Sequence, residues 1–154
     1  MSFQTTPGGT RGARVPRSNP VTRGITRAMT SWHRRSGDKF QGQDVLYLST
    51  IGAKTGQKRQ ATVARFPDGE DAWLVVASAA GSAHHPAWYH NIAAHPDQVW
   101  AEFGGRQLRV DPAQLDGDAR AQAWQRITQT QPRYARYQQK TDRVLPVIRL
   151  SRAD

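Results

Sequence analysis

Between residues 45 and 150 the chain repeats one device: a short apolar run, a turn-forming cluster, then another short apolar run. Six such runs are legible, over Val45–Thr50, Ala61–Phe66, Ala72–Ser78, Val99–Phe103, Gln107–Val110 and Val144–Leu150. Runs of this length, rich in β-branched and aromatic residues, read as strands. Asp68-Gly69 and Gly104-Gly105-Arg106 stand between neighbouring runs, where residues that tolerate positive φ close tight hairpins. Within that span helical spacing is confined to three places. A short helix, Ala87–Ala94, starts at Pro86 and ends near His95-Pro96. A second is capped by Asp116 or Asp118 and runs through Thr128, with Ala119, Ala123 and Ile127 in register. A third, opened by Pro132, carries Tyr134 and Tyr137. The strand–helix–strand alternation of a parallel sheet is missing, which weighs against a Rossmann domain. The expected fold is mainly β with α (α+β): a small antiparallel barrel with peripheral helices.

At 154 residues the chain can bury one real core. It has no cysteine, hence no disulfide framework, thiolate chemistry or zinc–thiolate site. No apolar stretch is long enough to span a bilayer, and the N-terminus lacks the apolar segment of a secretory signal. These features point to the cytoplasm. The formal charge of +10 is lopsided: Arg11, Arg14, Arg17, Arg23, Arg27, Arg34 and Arg35 precede the first acidic residue, leaving +3 for everything after residue 37. That is the pattern of an attached basic arm. Residues 1–18, rich in Gly, Pro, Arg, Ser and Thr, are expected to be disordered. Residues 19–36 read as an amphipathic helix, capped by Asn19 and started by Pro20, with Val21, Ile25, Met29 and Trp32 on one face. This stripe either packs on the domain or rests on anionic lipid at the inner face of the cell membrane. Residues 37–154 form the expected barrel domain.

The segment Leu46–Thr62 joins two strand-like runs through a loop with two glycines, Gly52 and Gly56, and three cations, Lys54, Lys58 and Arg59. Such a loop turns backbone N–H groups and positive charge outward and suits an anion. A Walker A motif would need glycines at positions 48 and 53, which hold Leu48 and Ala53, and a helix afterwards rather than a strand. His85, His90 and His95 are five apart, which would put their rings on different sides of a helix, so no metal site is expected. Ser78 lacks a nucleophile-elbow setting, and no paired carboxylates recommend hydrolysis. Trp73, Trp88, Trp100 and Trp124 fall inside apolar elements, and only Trp32 lies in the basic region, which weighs against a nucleic-acid partner. What is left is a protein that binds something carrying its own reactivity.

Four motifs, in order, resemble the deazaflavin-dependent nitroreductase family of actinobacterial flavin/deazaflavin oxidoreductases. They are Thr50-Ile51-Gly52-Ala53-Lys54-Thr55-Gly56 with Arg59, Val75-Val76-Ala77-Ser78, Pro86-Ala87-Trp88-Tyr89-His90-Asn91, and Thr141-Asp142-Arg143-Val144-Leu145-Pro146-Val147. The resemblance covers about residues 40 to 151 and implies a split β-barrel. It also implies coenzyme F-420, an 8-hydroxy-5-deazaflavin with a phosphate and a polyglutamate tail, as hydride carrier. Quinones, enones and nitroaromatics are the acceptors so implied. By the family pattern, Ala53, Lys54, Thr55, Gly56, Arg59, Gln60, Ala61, Thr62, Val63, Ala64 and Arg65 would line the phosphate and ring. Val76, Ala77, Ser78 and Ala79 would lie along the deazaflavin, and Ala87, Trp88, Tyr89, His90 and Asn91 would close over it. Ser78, Tyr134 and Tyr137 would border the acceptor, with Ser78 and Tyr134 polarising or protonating it and Tyr134 also reaching the cofactor.

The chain departs from that pattern at Ala53, where arginine is common, Thr62 for proline, Ala64 for an aromatic, Ala79 where lysine occurs, and Gln131 for a further tyrosine. Two rivals stand beside the deazaflavin reductase: a split-barrel reductase using FMN, and a non-catalytic carrier of the deazaflavin.

Overall fold

Strand β2 (Gln43–Ile51) is buried along nearly its whole length because strands flank it on both sides. On one edge it pairs residue for residue with β3 (Lys58–Ala64), from Val45 opposite Ala64 to Ile51 opposite Lys58. On the other it pairs with β6 (Trp100–Phe103), and its first residues also pair with β1 (Lys39–Phe40). The computed structural model describes residues 3–13, 39–40 and 43–153, with backbone only at 39–40; the helix expected over 19–36 lies outside them.

Among the described residues the remaining strands are β4 (Phe66–Pro67), β5 (Ala72–Val76), β7 (Arg106–Gln114) and β8 (Val147–Arg152). Every pairing between strands is antiparallel, as the split-barrel expectation requires. Strand β7 makes the barrel turn. Its first half pairs with β6 and its second half with β8, so the sheet changes direction within one strand. Alternation along β5 then serves two cores. Trp73, Val75 and Ala77 face the barrel interior with Leu46, Leu48, Ile92, Val99, Val110, Ile148 and Leu150. Leu74 and Val76 face the helices α2 (Gly117–Thr130) and α3 (Arg133–Lys140), meeting Ala123, Ile127 and Tyr134. Asp68, in the turn between β4 and β5, ties the two layers: its carboxylate accepts from Arg126 of α2 at 2.9 Å and Arg149 of β8 at 2.7 Å.

All six expected strands exist, and α1 (Ala87–Ala94) has the expected bounds. Several boundaries differ: the run Ala61–Phe66 is split at Arg65 into β3 and β4, β5 stops at Val76 and β7 runs on to Gln114, and two further shifts have plain physical reasons. β3 begins at Lys58 rather than Ala61, because the ladder with β2 continues through polar, exposed residues that carry no apolar signal. β8 begins at Val147 rather than Val144, because residues 142–146 form a loop built around Arg143. Ala119 is exposed, leaving Ala123 and Ile127 as the buried stripe of α2.

Residues 3–13, expected within a disordered arm, instead lie against the domain. Gly9 N–H donates to the Ala83 carbonyl at 2.8 Å and Ala13 N–H to that of Gly81 at 2.9 Å. Asp142 accepts from the Thr10 and Arg11 amides at 2.8 and 3.2 Å and from the Thr10 hydroxyl. Phe3 packs on Tyr89 with centroids 5.4 Å apart. Composition alone sees too few apolar residues to order this segment. It is ordered by backbone amides finding fixed acceptors, and by glycine: a Cβ on Gly12 would sit 2.3 Å from the Ala83 nitrogen. Led by the Thr10 hydroxyl, these donors hold the Asp142 carboxyl down to about 2. This contact is complete above the ordinary 3.8 and is lost as pH falls toward 2.

Gly81 and Gly69 both have positive φ, 82° and 86°, but different surroundings. A Cβ on Gly81 would meet the Tyr137 carbonyl oxygen at 2.6 Å, whereas one on Gly69 meets open space. Gly81→Ala should therefore cost at least about 2 kcal/mol and lower Tm by roughly 4–8 °C. Gly69→Ala should cost only about 1 kcal/mol, the backbone share alone. Thermal melts of the two variants check the difference.

Candidate active site

The loop between β2 and β3 is closed at its base by Gly52 N–H donating to the Gln57 carbonyl at 2.8 Å and Gly56 N–H to that of Gly52 at 2.9 Å. Gly56 supplies the positive φ of 69° that this return requires. Asn91, buried in α1, clamps the loop from below. Its Oδ1 accepts from the Ala53 N–H at 3.0 Å and its Nδ2 donates to the Thr50 hydroxyl at 3.1 Å.

Above this clamp lies a cavity of 760 Å³ between the loop, β3 and α1. Of the sequence-predicted residues it gathers Ala53, Lys54, Thr55, Arg59, Gln60, Ala61, Ala87, Trp88, His90 and Asn91, together with His85. Lys54 and Arg59 are exposed, with no carboxylate partner among the described residues. A second cavity, of 400 Å³, adjoins it. It gathers Thr62, Val63, Ala64, Val76, Ser78, Ala79, Trp88, Tyr134 and Tyr137, with Arg133 beside them. Trp88 belongs to both walls and packs its inner side on the barrel core.

The second cavity holds the groups suited to proton donation. Tyr134 is 6 % exposed, packed edge-on against Phe66 and Tyr137 at 5.7 and 5.6 Å. Burial pushes its phenol above the ordinary range, outweighing the Arg133 side chain that pulls it down. The phenol is therefore neutral at physiological pH and available as a donor. Beside it, Ala79 and Ala80 have φ of 44° and 54°, a left-handed backbone that costs alanine about 1–3 kcal/mol per residue.

Five residues expected at the site line neither cavity. Gly56 lines neither cavity and has open space where a Cβ would stand. Ala77 is wholly buried, and so is Tyr89, whose hydroxyl donates to Gln114 and accepts from the Thr6 N–H. Arg65 turns away from both cavities, bonding the Val45 carbonyl and stacking on Phe103 at 4.4 Å. Lys58 lies over Trp100 at 4.6 Å instead of in the loop's cavity. Gln131 donates to Gln43 at 2.7 Å in a separate depression, so its departure from the family's tyrosine leaves the second cavity untouched. His85 and His90 approach to 5.7 Å rather than diverging, because His85 precedes α1 and escapes helical spacing.

Sequence reasoning missed the part played by Arg143. It is 2 % exposed, and its guanidinium donates to the carbonyls of Ala77, Ser78 and Ser82 and to His85 Nδ1. The one available signal was a lone cation inside the otherwise apolar end of Thr141–Val147.

A family model described as "F420H(2)-dependent quinone reductase" matches residues 21–151 of this chain. The chain belongs to that family. An F420H(2)-dependent quinone reductase of Mycobacterium tuberculosis is 40 % identical over 110 residues, covering 70 % of this chain and 72 % of the relative. Among solved structures, an F420-H2 dependent reductase (FDR-A) superposes with a TM-score of 0.62 at 34 % identity, covering 70 % of this chain and 93 % of that one. A domain-swapped dimer superposes at 0.63 with 29 % identity, over 86 % of this chain and 100 % of that one. The family membership makes the chain a deazaflavin-dependent oxidoreductase, with the split antiparallel β-barrel of its relatives.

Asn91 is the joint between α1 and the cationic loop. Asn91→Ala leaves the Ala53 N–H and the Thr50 hydroxyl without that partner and should cost about 1–3 kcal/mol. Amide exchange at Ala53, followed by NMR, should quicken while that of the barrel strands stays slow.

Proposed function

We propose that the chain binds reduced coenzyme F-420 across the first cavity and reduces a quinone-type acceptor in the second. One observation carries this reading: two adjoining cavities share Trp88, one rimmed by unpaired cations and the other lined by a neutral phenol and a hydroxyl. The residues fit the coenzyme. Lys54 and Arg59 offer exposed charge for a phosphate and a carboxylate tail, with the loop's backbone pinned by Asn91. The volume of 760 Å³ is of the size that organic ligands occupy.

When bound, the reduced deazaflavin supplies the hydride, and a carbon in place of the flavin nitrogen favours two-electron transfer. The protein's own task is to place the partners and manage a proton. Trp88 separates and orients the two occupants. Ser78 Oγ and Tyr134 Oη donate hydrogen bonds to the acceptor oxygen as negative charge grows there. Tyr134, whose phenol is intrinsically more acidic than the Ser78 hydroxyl, is the stronger candidate to give up its proton. The name of the relatives favours quinones among electron-poor acceptors; enones and nitroaromatics share the same electrophilic chemistry.

Fluorescence titration of the purified protein with coenzyme F-420, and separately with FMN, tests cofactor choice. Micromolar FMN binding with none for the deazaflavin would reverse it. Lys54→Ala combined with Arg59→Ala should weaken coenzyme binding more than about ten-fold. Tyr134→Phe should lower menadione turnover more than coenzyme affinity, whereas equal losses would make its role structural. A protein that binds the coenzyme yet accelerates no acceptor in a stopped-flow panel would be a carrier.

A further inference from the structure

The Thr141–Val147 motif belongs to the resemblance, yet the proposed function uses none of its residues. Its centre is the most deeply buried cation among the described residues. Arg143 Nε donates to the Ser82 carbonyl at 2.7 Å, Nη1 to the Ala77 carbonyl and His85 Nδ1 at 3.0 Å each, and Nη2 to the Ser78 carbonyl at 2.7 Å. No carboxylate among the described residues pairs with it. Burying a guanidinium against neutral acceptors is costly, and a chain that does so gains placement rather than Coulomb energy.

What is placed lies on both cavities. Ser78, Ala79 and Ala80 wall the second, and His85 walls the first. The two alanines hold a left-handed backbone that the carbonyl bonds on either side of them maintain. Arg143 is itself anchored from α3, where Gln138 donates to its carbonyl at 2.7 Å and accepts from the Leu145 N–H at 3.0 Å.

Resting on the two-cavity reading above, we propose that Arg143 is a positioning residue for hydride transfer, fixing the Ser78–Ala80 wall of the acceptor cavity relative to the His85 wall of the coenzyme cavity.

The clamp has a signature in His85. Its Nδ1 accepts from Arg143 and its Nε2–H donates to the Thr6 carbonyl at 2.8 Å, which requires the neutral Nε2–H tautomer. The groups facing the ring are Arg143, Tyr89 and His90 of α1, and the Thr6 and Pro7 carbonyls. Burial, first, and then Arg143 and His90 hold its pKa below the ordinary 6.5, against the pull of the two carbonyls. The neutral ring, and with it the Arg143–His85 bond of the clamp, is complete above the ordinary 6.5 and is lost as pH falls through the ring's lowered value.

The test uses the full chain. NMR of labelled wild type should show His85 as the neutral Nε2–H tautomer at pH 7, and the amides of Ser78 to Gly81 should shift with the same midpoint as its ring. A charged His85, an Nδ1–H tautomer, or wall amides that ignore that midpoint would overturn the proposal, whether or not any variant folds. Single-turnover oxidation of reduced coenzyme by menadione should slow on the order of 10²-fold in Arg143→Lys and Arg143→Gln. Coenzyme affinity should move less than about three-fold, and Gln should raise the His85 midpoint by removing the charge. Variants that fold and turn over within about three-fold of wild type would also overturn it. Wild type that neither binds nor oxidises the coenzyme would sink the two-cavity reading instead, while the NMR arm still decides the clamp.

Discussion

A single buried guanidinium organises this molecule's working end. Arg143 reaches from the loop before β8 into the turn after β5 and occupies four acceptors there. Without that side chain the carbonyls of Ala77 and Ser82 would lose the donor they share, and that of Ser78 would keep only the Gly81 N–H. The cost of such groups left unpaired is larger than the net gain of any one bond, so the loop and the cation stand or fall together. His85 extends the same network to the N-terminal segment through Thr6, and Asp142, next in sequence to Arg143, holds that segment a second time. Adjacent residues of one motif thus face inward and outward, fastening site and arm to the same point.

The proposed division of labour between the cavities follows from how little chemistry the side chains offer. The first has charge and shape but no nucleophile or paired acid. The second has a phenol that burial keeps neutral, a hydroxyl and an arginine. Such a set can hold an anionic carrier and steady charge on an acceptor, but it cannot supply electrons. The barrel suits that task because strands hold walls more rigidly than long loops do. β3 contributes to both cavities along one continuous ladder, and β2 behind it is packed on both sides.

Much of the fold was legible because it rests on local signals. Asp68-Gly69 and Gly104-Gly105 marked hairpins whose glycines do adopt positive φ, and Pro86 marked the start of α1. The site was legible in outline, since the loop, the Trp88 segment and Tyr134 do converge. Legibility failed where long-range geometry decides. Alternation along a strand cannot say that Arg65 leaves for the opposite side, nor helical spacing that Tyr89 points wholly inward. Asn91 lines the first cavity, and its side-chain oxygen also holds the loop's backbone, a role that helical spacing does not reveal. The order in residues 3–13 was invisible to composition because it comes from backbone amides, which every sequence possesses. Arg143 escaped for a similar reason: its partners are mostly carbonyls, which leave no trace in residue identity.

The left-handed alanines carry a mechanical consequence. Glycine at positions 79 and 80 would adopt the same path without strain and would tolerate small excursions in every direction. Alanine does not: a left-handed conformation is uphill for it by roughly 1–2 kcal/mol per residue, so its preferred alternative is a different basin, not a nearby one. A wall made this way is preloaded. While the clamp holds, the strain narrows the wall's fluctuations. If the clamp were removed, the same strain would favour relaxation of the turn toward an ordinary backbone basin over a gradual loosening.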